Sequence, residues 1–181
     1  MDPISNDIAR VLISEEQIKE RVAELGAQIS RDYDGLNPLL ICVLKGGYVF
    51  LADLTRQITI HHGIDFMAVS SYGDATETSG VVQILKDLDR DITGRHIMIV
   101  EDIIDTGNTL AYLLENLKVR NPASIKLCTL LNKPSRREVD LKVDYVGFDI
   151  DDEFVIGYGL DYAQKYRNLP FIAVLKPEVY S

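Results

Sequence analysis

The stretch Ile97–Leu110, IMIVEDIIDTGNTL, carries a strand, an acidic turn and the start of a helix. Ile97 to Val100 form an apolar run of the kind found in strands buried on both faces. Glu101 and Asp102 close it, Asp105 follows, and Thr106-Gly107-Asn108-Thr109 is a small-residue turn opening a helical pattern over 107–119. Asp or Thr at such a place commonly does no more than cap a helix, and acids can simply end a strand. Yet adjacent carboxylates repel one another and repel phosphate, whereas backbone N–H groups at a helix N-terminus attract it. A ligand that reconciles the two brings hydroxyls and a metal ion to the acids and a phosphate monoester to Thr106–Thr109. That describes a sugar phosphate with Mg²⁺.

Working outward, Ser14 opens a Ser-x-x-Gln capping box, and Ile18, Val22, Leu25 and Ile29 recur at helical spacing, which predicts an amphipathic helix over 15–33. Apolar runs at 39–44, 64–70, 97–100, 125–131 and 144–148 read as strands, and helical patterns at 47–58 and 107–119 separate some of them. Alternation of this kind predicts an α/β fold with a parallel, doubly wound sheet. Ligands of such sheets sit beyond the carboxyl ends of the strands, where this chain places Lys45-Gly46-Gly47, the segment Glu101–Thr109, and Lys133. The polar segment 71–80, SYGDATETSG, is either a long hairpin loop or an active-site lid.

Composition narrows the function. With 181 residues, 46% of them hydrophobic, the chain suits one domain with a full core. A net charge of −9, with no basic block longer than Arg136-Arg137, gives a nucleic-acid backbone little to bind. The first residues lack a secretory pattern, and the apolar runs fall short of the ~20 residues of a membrane span, so a cytoplasmic protein without membrane partners is expected. Cys42 and Cys128 lie within apolar runs and read as buried structural thiols; His61-His62 reads as a loop pair without a third ligand. The absence of Gly-x-x-x-x-Gly-Lys-Ser/Thr argues against a P-loop triphosphate hydrolase.

VEDIIDTGNTL resembles the 5-phosphoribosyl 1-pyrophosphate binding motif of the type I phosphoribosyltransferases. LKGGYVFLADL (44–54), SSYG (70–73), LLNKPSRR (130–137) and DEFVIGYGLDYAQKYRNLP (152–170) extend the resemblance to the hypoxanthine-guanine phosphoribosyltransferases, in the manner of their bacterial branch. The resemblance implies a single domain with a five-stranded parallel sheet flanked by helices, its core at about 35–150, and a small hood from the N-terminal segment and about 150–181. The implied reaction moves a phosphoribosyl group from phosphoribosyl pyrophosphate to hypoxanthine or guanine, giving IMP or GMP and pyrophosphate. It implies Mg²⁺ as cofactor and a homodimer or homotetramer.

Residue by residue, the resemblance places Glu101 and Asp102 by the ribose hydroxyls and the metal, and makes Asp105 the acid/base near purine N7. Thr106, Gly107, Asn108 and Thr109 then bind the 5′-phosphate. Lys133 meets the purine 6-oxo group, Phe154 stacks on the base, and Val155 bonds it through its backbone. Asp161 helps hold a second Mg²⁺, and Lys45, Gly46 and Arg167 surround pyrophosphate. Ser71 and Tyr72 belong to the segment 70–80 that is expected to close over the sugar. The resemblance also points to a cis peptide at Lys45–Gly46. A rival class, a non-catalytic sensor of phosphoribosyl pyrophosphate, would keep Glu101–Thr109 but would carry a basic face and less need of a base-recognition segment.

Overall fold

The computed structural model describes residues 5–72 and 81–180. After a short turn at Ser5–Asp7 come β1 (Ile8–Ile13), α1 (Glu15–Asp32), β2 (Leu39–Leu44), α2 (Tyr48–Gln57), β3 (Gly63–Tyr72) and β4 (Val81–Lys86). The chain continues through β5 (His96–Ile104), α3 (Asn108–Lys118), β6 (Ser124–Asn132), β7 (Tyr145–Asp149), β8 (Val155–Ile156), β9 (Ile172–Leu175) and α4 (Pro177–Tyr180). The capping box forms as predicted: the Ser14 hydroxyl accepts from the Gln17 N–H at 3.2 Å, and the Gln17 side chain accepts from the Ser14 N–H at 2.8 Å. Among the described residues no helix is long and apolar enough to cross a membrane.

The main sheet runs β4-β3-β2-β5-β6-β7. The five strands expected from the sequence are its parallel members, β2, β3, β5, β6 and β7. The expected five-stranded sheet is corrected to six by β4, which pairs antiparallel with β3. An edge strand that runs antiparallel to its predecessor needs no crossover helix. Alternation along the central strands builds two cores. Leu40, Cys42, Met98 and Val100 face α1 and α2, while Ile41, Ile97 and Ile99 face Leu110, Leu113 and Leu117 of α3. Both cysteines are free and buried, and burial pushes the Cys42 thiol up to about 12, as suits structural thiols.

This topology fixes where a ligand can enter. From β2 the chain passes through α2 to β3 on one side; from β5 it passes through α3 to β6 on the other. The two strands are neighbours, and their connections diverge onto opposite faces, so a crevice opens beyond their carboxyl ends. A second, antiparallel sheet, β1-β9-β8, is built from the N-terminal segment and residues after 150, and Ile13, Val155, Ile172 and Val174 join it to the core that holds α1 and α2.

Candidate active site

Glu101 and Asp102 do not follow β5 but lie within it, for the strand continues until Ile103 and Ile104 pair with Leu131 and Asn132 of β6. Both are partly buried, and neither has a salt-bridge partner among the described residues. Burial pushes Glu101 well above the ordinary carboxylate range, and the charge of Asp102 pushes in the same direction. Burial likewise raises Asp102 to about 6, against the Ile103 N–H, which donates to its Oδ1 at 2.8 Å, and the positive charge of Arg167; Asp161 adds to the rise. Both carboxylates are hard oxygen donors of the kind that Mg²⁺ takes alongside water and substrate oxygens, Glu101 from the cleft beside α3 and Asp102 from the side of Gly46. Among the described residues no three His, Cys, Asp or Glu side chains come together as an ion cage.

The rise in Asp102 has a measurable consequence without any ligand. In the window between its ordinary pKa and about 6, the folded chain binds a proton that the unfolded chain has released. Stability therefore falls as pH rises through that window. Asp102→Asn, which keeps an acceptor for the Ile103 N–H, is expected to stabilise the ligand-free protein on the order of 2 kcal/mol above about pH 7, and to add little below about pH 4. Thermal unfolding at acidic and neutral pH measures this; a variant melting at or below the wild-type temperature at neutral pH would contradict it.

The helix start differs from the sequence expectation that Asp105 serves as a cap. Gly107 occupies the N-cap of α3 with φ of 86°, and no side chain caps the helix. The left-handed backbone favours glycine, and a Cβ there would meet Val139 Cγ2 at 2.9 Å. The Asn108 N–H reaches the Thr106 hydroxyl at a long 3.4 Å, and the glycine cap itself offers the first turn of α3 no acceptor, beside a cleft of about 170 Å³ lined by Glu101, Asp105, Thr106, Gly107 and Thr109. An uncapped N-terminus of this kind is an anion site.

The segment after Lys133, a short turn at Pro134–Arg136 and its flank, buttresses this loop, and the sequence reading assigned it no role. Arg136 Nε donates to Asp105 Oδ1 at 3.2 Å, the Glu138 N–H donates to the Thr106 carbonyl at 3.0 Å, and the Asn108 amide donates to Glu138 at 2.6 Å. Arg137 donates to Asn132 and keeps Nη1 buried without a partner among the described residues. The adjoining Arg136-Arg137 pair was visible in the sequence, but which loop it would touch was not.

Lys133 follows β6 directly and is buried at 7% exposure, its N–H bonded to the Ile104 carbonyl at 3.0 Å and its Nζ 3.5 Å from Asp152. Phe154 is half-exposed just before β8, while Val155 is buried and pairs with Val174. From β2, Gly46 abuts Asp102 so closely that a Cβ would fall 1.7 Å from Asp102 Oδ2. The cis peptide lies at Leu44–Lys45; the Lys45–Gly46 bond, where it was expected, is trans. On the far side Arg167 donates to the Gly159 carbonyl at 2.7 Å and pairs with Asp161 at 2.9 Å. Asp161 also accepts from the Gln164 N–H at 2.8 Å, so the residue expected to help hold a second Mg²⁺ is itself held by a guanidinium and a turn. Ser71 and Tyr72 close β3 opposite Val82 and Val81. Their side chains and residues 73–80, with the expected lid, lie outside the described residues.

Residues 13–163 match the family described as the phosphoribosyl transferase domain. The chain is 55% identical over 177 residues to the hypoxanthine-guanine phosphoribosyltransferase of Bacillus subtilis, covering 98% of both chains. It is 51% identical over 180 residues to the bifunctional protein TilS/HprT of Listeria monocytogenes, spanning 99% of this chain and 28% of that protein's length. Among solved structures, a hypoxanthine phosphoribosyltransferase of Staphylococcus aureus superposes with a TM-score of 0.96 at 49% identity, over 100% of this chain and 99% of the other. A hypoxanthine-guanine phosphoribosyltransferase of Bacillus anthracis, with HEPES in its active site, superposes with a TM-score of 0.88 at 52% identity, over 94% and 98% of the two chains.

Proposed function

The chain belongs to the phosphoribosyltransferase family, and from that membership we infer that it transfers the 5-phosphoribosyl group of phosphoribosyl pyrophosphate to hypoxanthine or guanine. The products are IMP or GMP and pyrophosphate, a purine salvage reaction. One observation carries the reading to this chain's own residues: at the switch point of the sheet the raised carboxyl of Glu101 shares a cleft with Asp105 and the N-terminus of α3, while its neighbour Asp102, raised as well, lies against Gly46 of the loop after β2.

Displacement at the anomeric carbon passes through an electron-poor sugar, so the protein's task is to align the base, accept the departing charge and exclude water. In this reading the N–H groups and hydroxyls of Thr106–Thr109 grip the 5′-phosphate, and Glu101 and Asp102 take the ribose hydroxyls. Asp105 exchanges the proton at purine N7. Lys133 donates to the 6-oxo oxygen, Val155 bonds the base through its backbone, and Phe154 supplies a stacking face. Lys45, Gly46 and Arg167 receive the pyrophosphate. Glu101, Asp102 and Asp161 would hold Mg²⁺, which when bound neutralises and orients the pyrophosphate. The antiparallel sheet β1-β9-β8 would act as the hood of a single domain. The same reading includes a cytoplasmic homodimer or homotetramer, to be checked by light scattering.

The test is a spectrophotometric assay with phosphoribosyl pyrophosphate and Mg²⁺ against hypoxanthine, guanine, xanthine and adenine. Formation of IMP or GMP with stoichiometric pyrophosphate is expected. Binding of phosphoribosyl pyrophosphate without turnover of any 6-oxopurine would instead favour the sensor class.

A further inference from the structure

Phe154 is not an isolated platform. The ring of Tyr180 stacks on it with centroids 4.7 Å apart and planes at 22°, and Tyr162 meets it edge-on at 5.7 Å and 86°. Tyr162 and Tyr180 close the triangle at 6.4 Å. Phe154 nevertheless remains 38% exposed, so part of its surface is still open after Tyr180 has stacked on it.

Tyr180 is delivered by a fastened segment. The Lys176 N–H donates to the Asp7 carbonyl at 2.9 Å, and the Asp7 carboxylate accepts from the Tyr166 hydroxyl at 2.6 Å. Val179 packs against the cluster formed by Ile156, Tyr166, Leu169, Ala173 and Leu175. Tyr162 packs against that cluster too, whereas Val155 and Val174 enter the main core. Phe154 therefore leans to the side of β8 opposite Val155, where α4 meets it. The Leu175 N–H pins the Phe154 carbonyl at 3.1 Å but leaves the ring free to turn about its own side-chain bonds.

Resting on the reading of Phe154 as the base platform, we propose that Tyr180 is a positioning residue for the purine. It covers one face of Phe154, fixes the tilt of that ring and leaves the opposite face to the base, so that the bound purine completes a three-layer stack. The hydroxyl of Tyr180 takes no part; its ring does.

Removing the ring forfeits an aromatic stacking contact, which corresponds to a change of about two- to tenfold in binding. Tyr180→Ala is therefore expected to raise KM for hypoxanthine or guanine by that factor while KM for phosphoribosyl pyrophosphate stays near the wild-type value. Tyr180→Phe, which keeps the ring, is expected to restore the purine KM. An unchanged purine KM in Tyr180→Ala overturns the proposal. So does a lowered one, which would place Tyr180 on the face that the base uses. Equal losses for both substrates, or failure of Tyr180→Phe to rescue, would reduce Tyr180 to a structural part and overturn it as well. Phe154→Ala separates the two levels. If that variant leaves the purine KM unmoved, the platform reading itself fails; if it raises the KM while Tyr180→Ala does not, only the role of Tyr180 falls.

Discussion

Adenine is expected to be used at least about a thousandfold less efficiently, in kcat/KM, than the better of hypoxanthine and guanine. An ammonium has three donors and no acceptor, so Lys133 can satisfy a 6-oxo oxygen but meets only further donors in a 6-amino group. The fold sharpens this conflict. Lys133 is 7% exposed and has Asp152 at 3.5 Å as its one ionic partner among the described residues, so little water is at hand to separate opposed donors. Sites built for a hydrogen bond reject a ligand that leaves it unmade by as much as ~10⁴–10⁵-fold, against ~10–200-fold for a methylene-sized difference in shape. Lys133→Gln, whose amide presents either a donor or an acceptor, should narrow the gap chiefly by weakening use of the 6-oxopurines. The measurement is kcat/KM for each base with both proteins. Adenine used within about tenfold of a 6-oxopurine by the wild type, or selectivity unmoved in Lys133→Gln, would remove this lysine from base reading.

Asp105→Asn should lower kcat by about 10²–10⁴-fold, the usual worth of general acid/base assistance, while the fold and much of the binding of phosphoribosyl pyrophosphate persist. The helix start makes this variant cleaner than the sequence implied. Gly107, not Asp105, occupies the cap of α3, so the change does not touch helix capping. Asn also keeps an oxygen for the Arg136 Nε that Asp105 accepts at 3.2 Å. Steady-state kinetics beside a thermal melt resolve the case: an intact melt with undiminished kcat would exclude Asp105 from the proton transfer.

The elements that sequence revealed are those whose signal is local. α1 announces itself by its capping box and by Ile18, Val22, Leu25 and Ile29, and β2 by six apolar residues with no polar interruption. β4 escaped the strand count because Val82, Gln83, Ile84 and Leu85 line an edge where neither face is fully buried, so their apolar character is diluted. β5 was cut short at Val100 because Glu101 and Asp102 look like a strand end; only the β6 ladder carries the strand on to Ile104. In the site, the motif around Asp105–Thr109 could be read because strand, turn and helix are contiguous. Tyr180 on Phe154, Arg136 on Asp105 and Gly46 against Asp102 are meetings of distant segments, set by the sheet order and left unmarked by spacing along the chain.

The pairing of β1 with β9 sets an order of events during synthesis. Ile8 meets Leu175 and Ile13 meets Ile172, so β1 is made before the other described strands and waits for the last of them to find its partner. The central sheet from β2 to β7 has meanwhile emerged whole, and local and sequential pairings close sooner than distant ones. A nascent chain thus acquires the acidic cleft and the free end of α3 while Phe154 still lacks both the β9 backbone and the ring of Tyr180. In the proposed reading, a chain that has emerged only as far as β7 could hold a phosphate but would have no finished seat for a base, so the seat for the purine is completed after the grip on the phosphate.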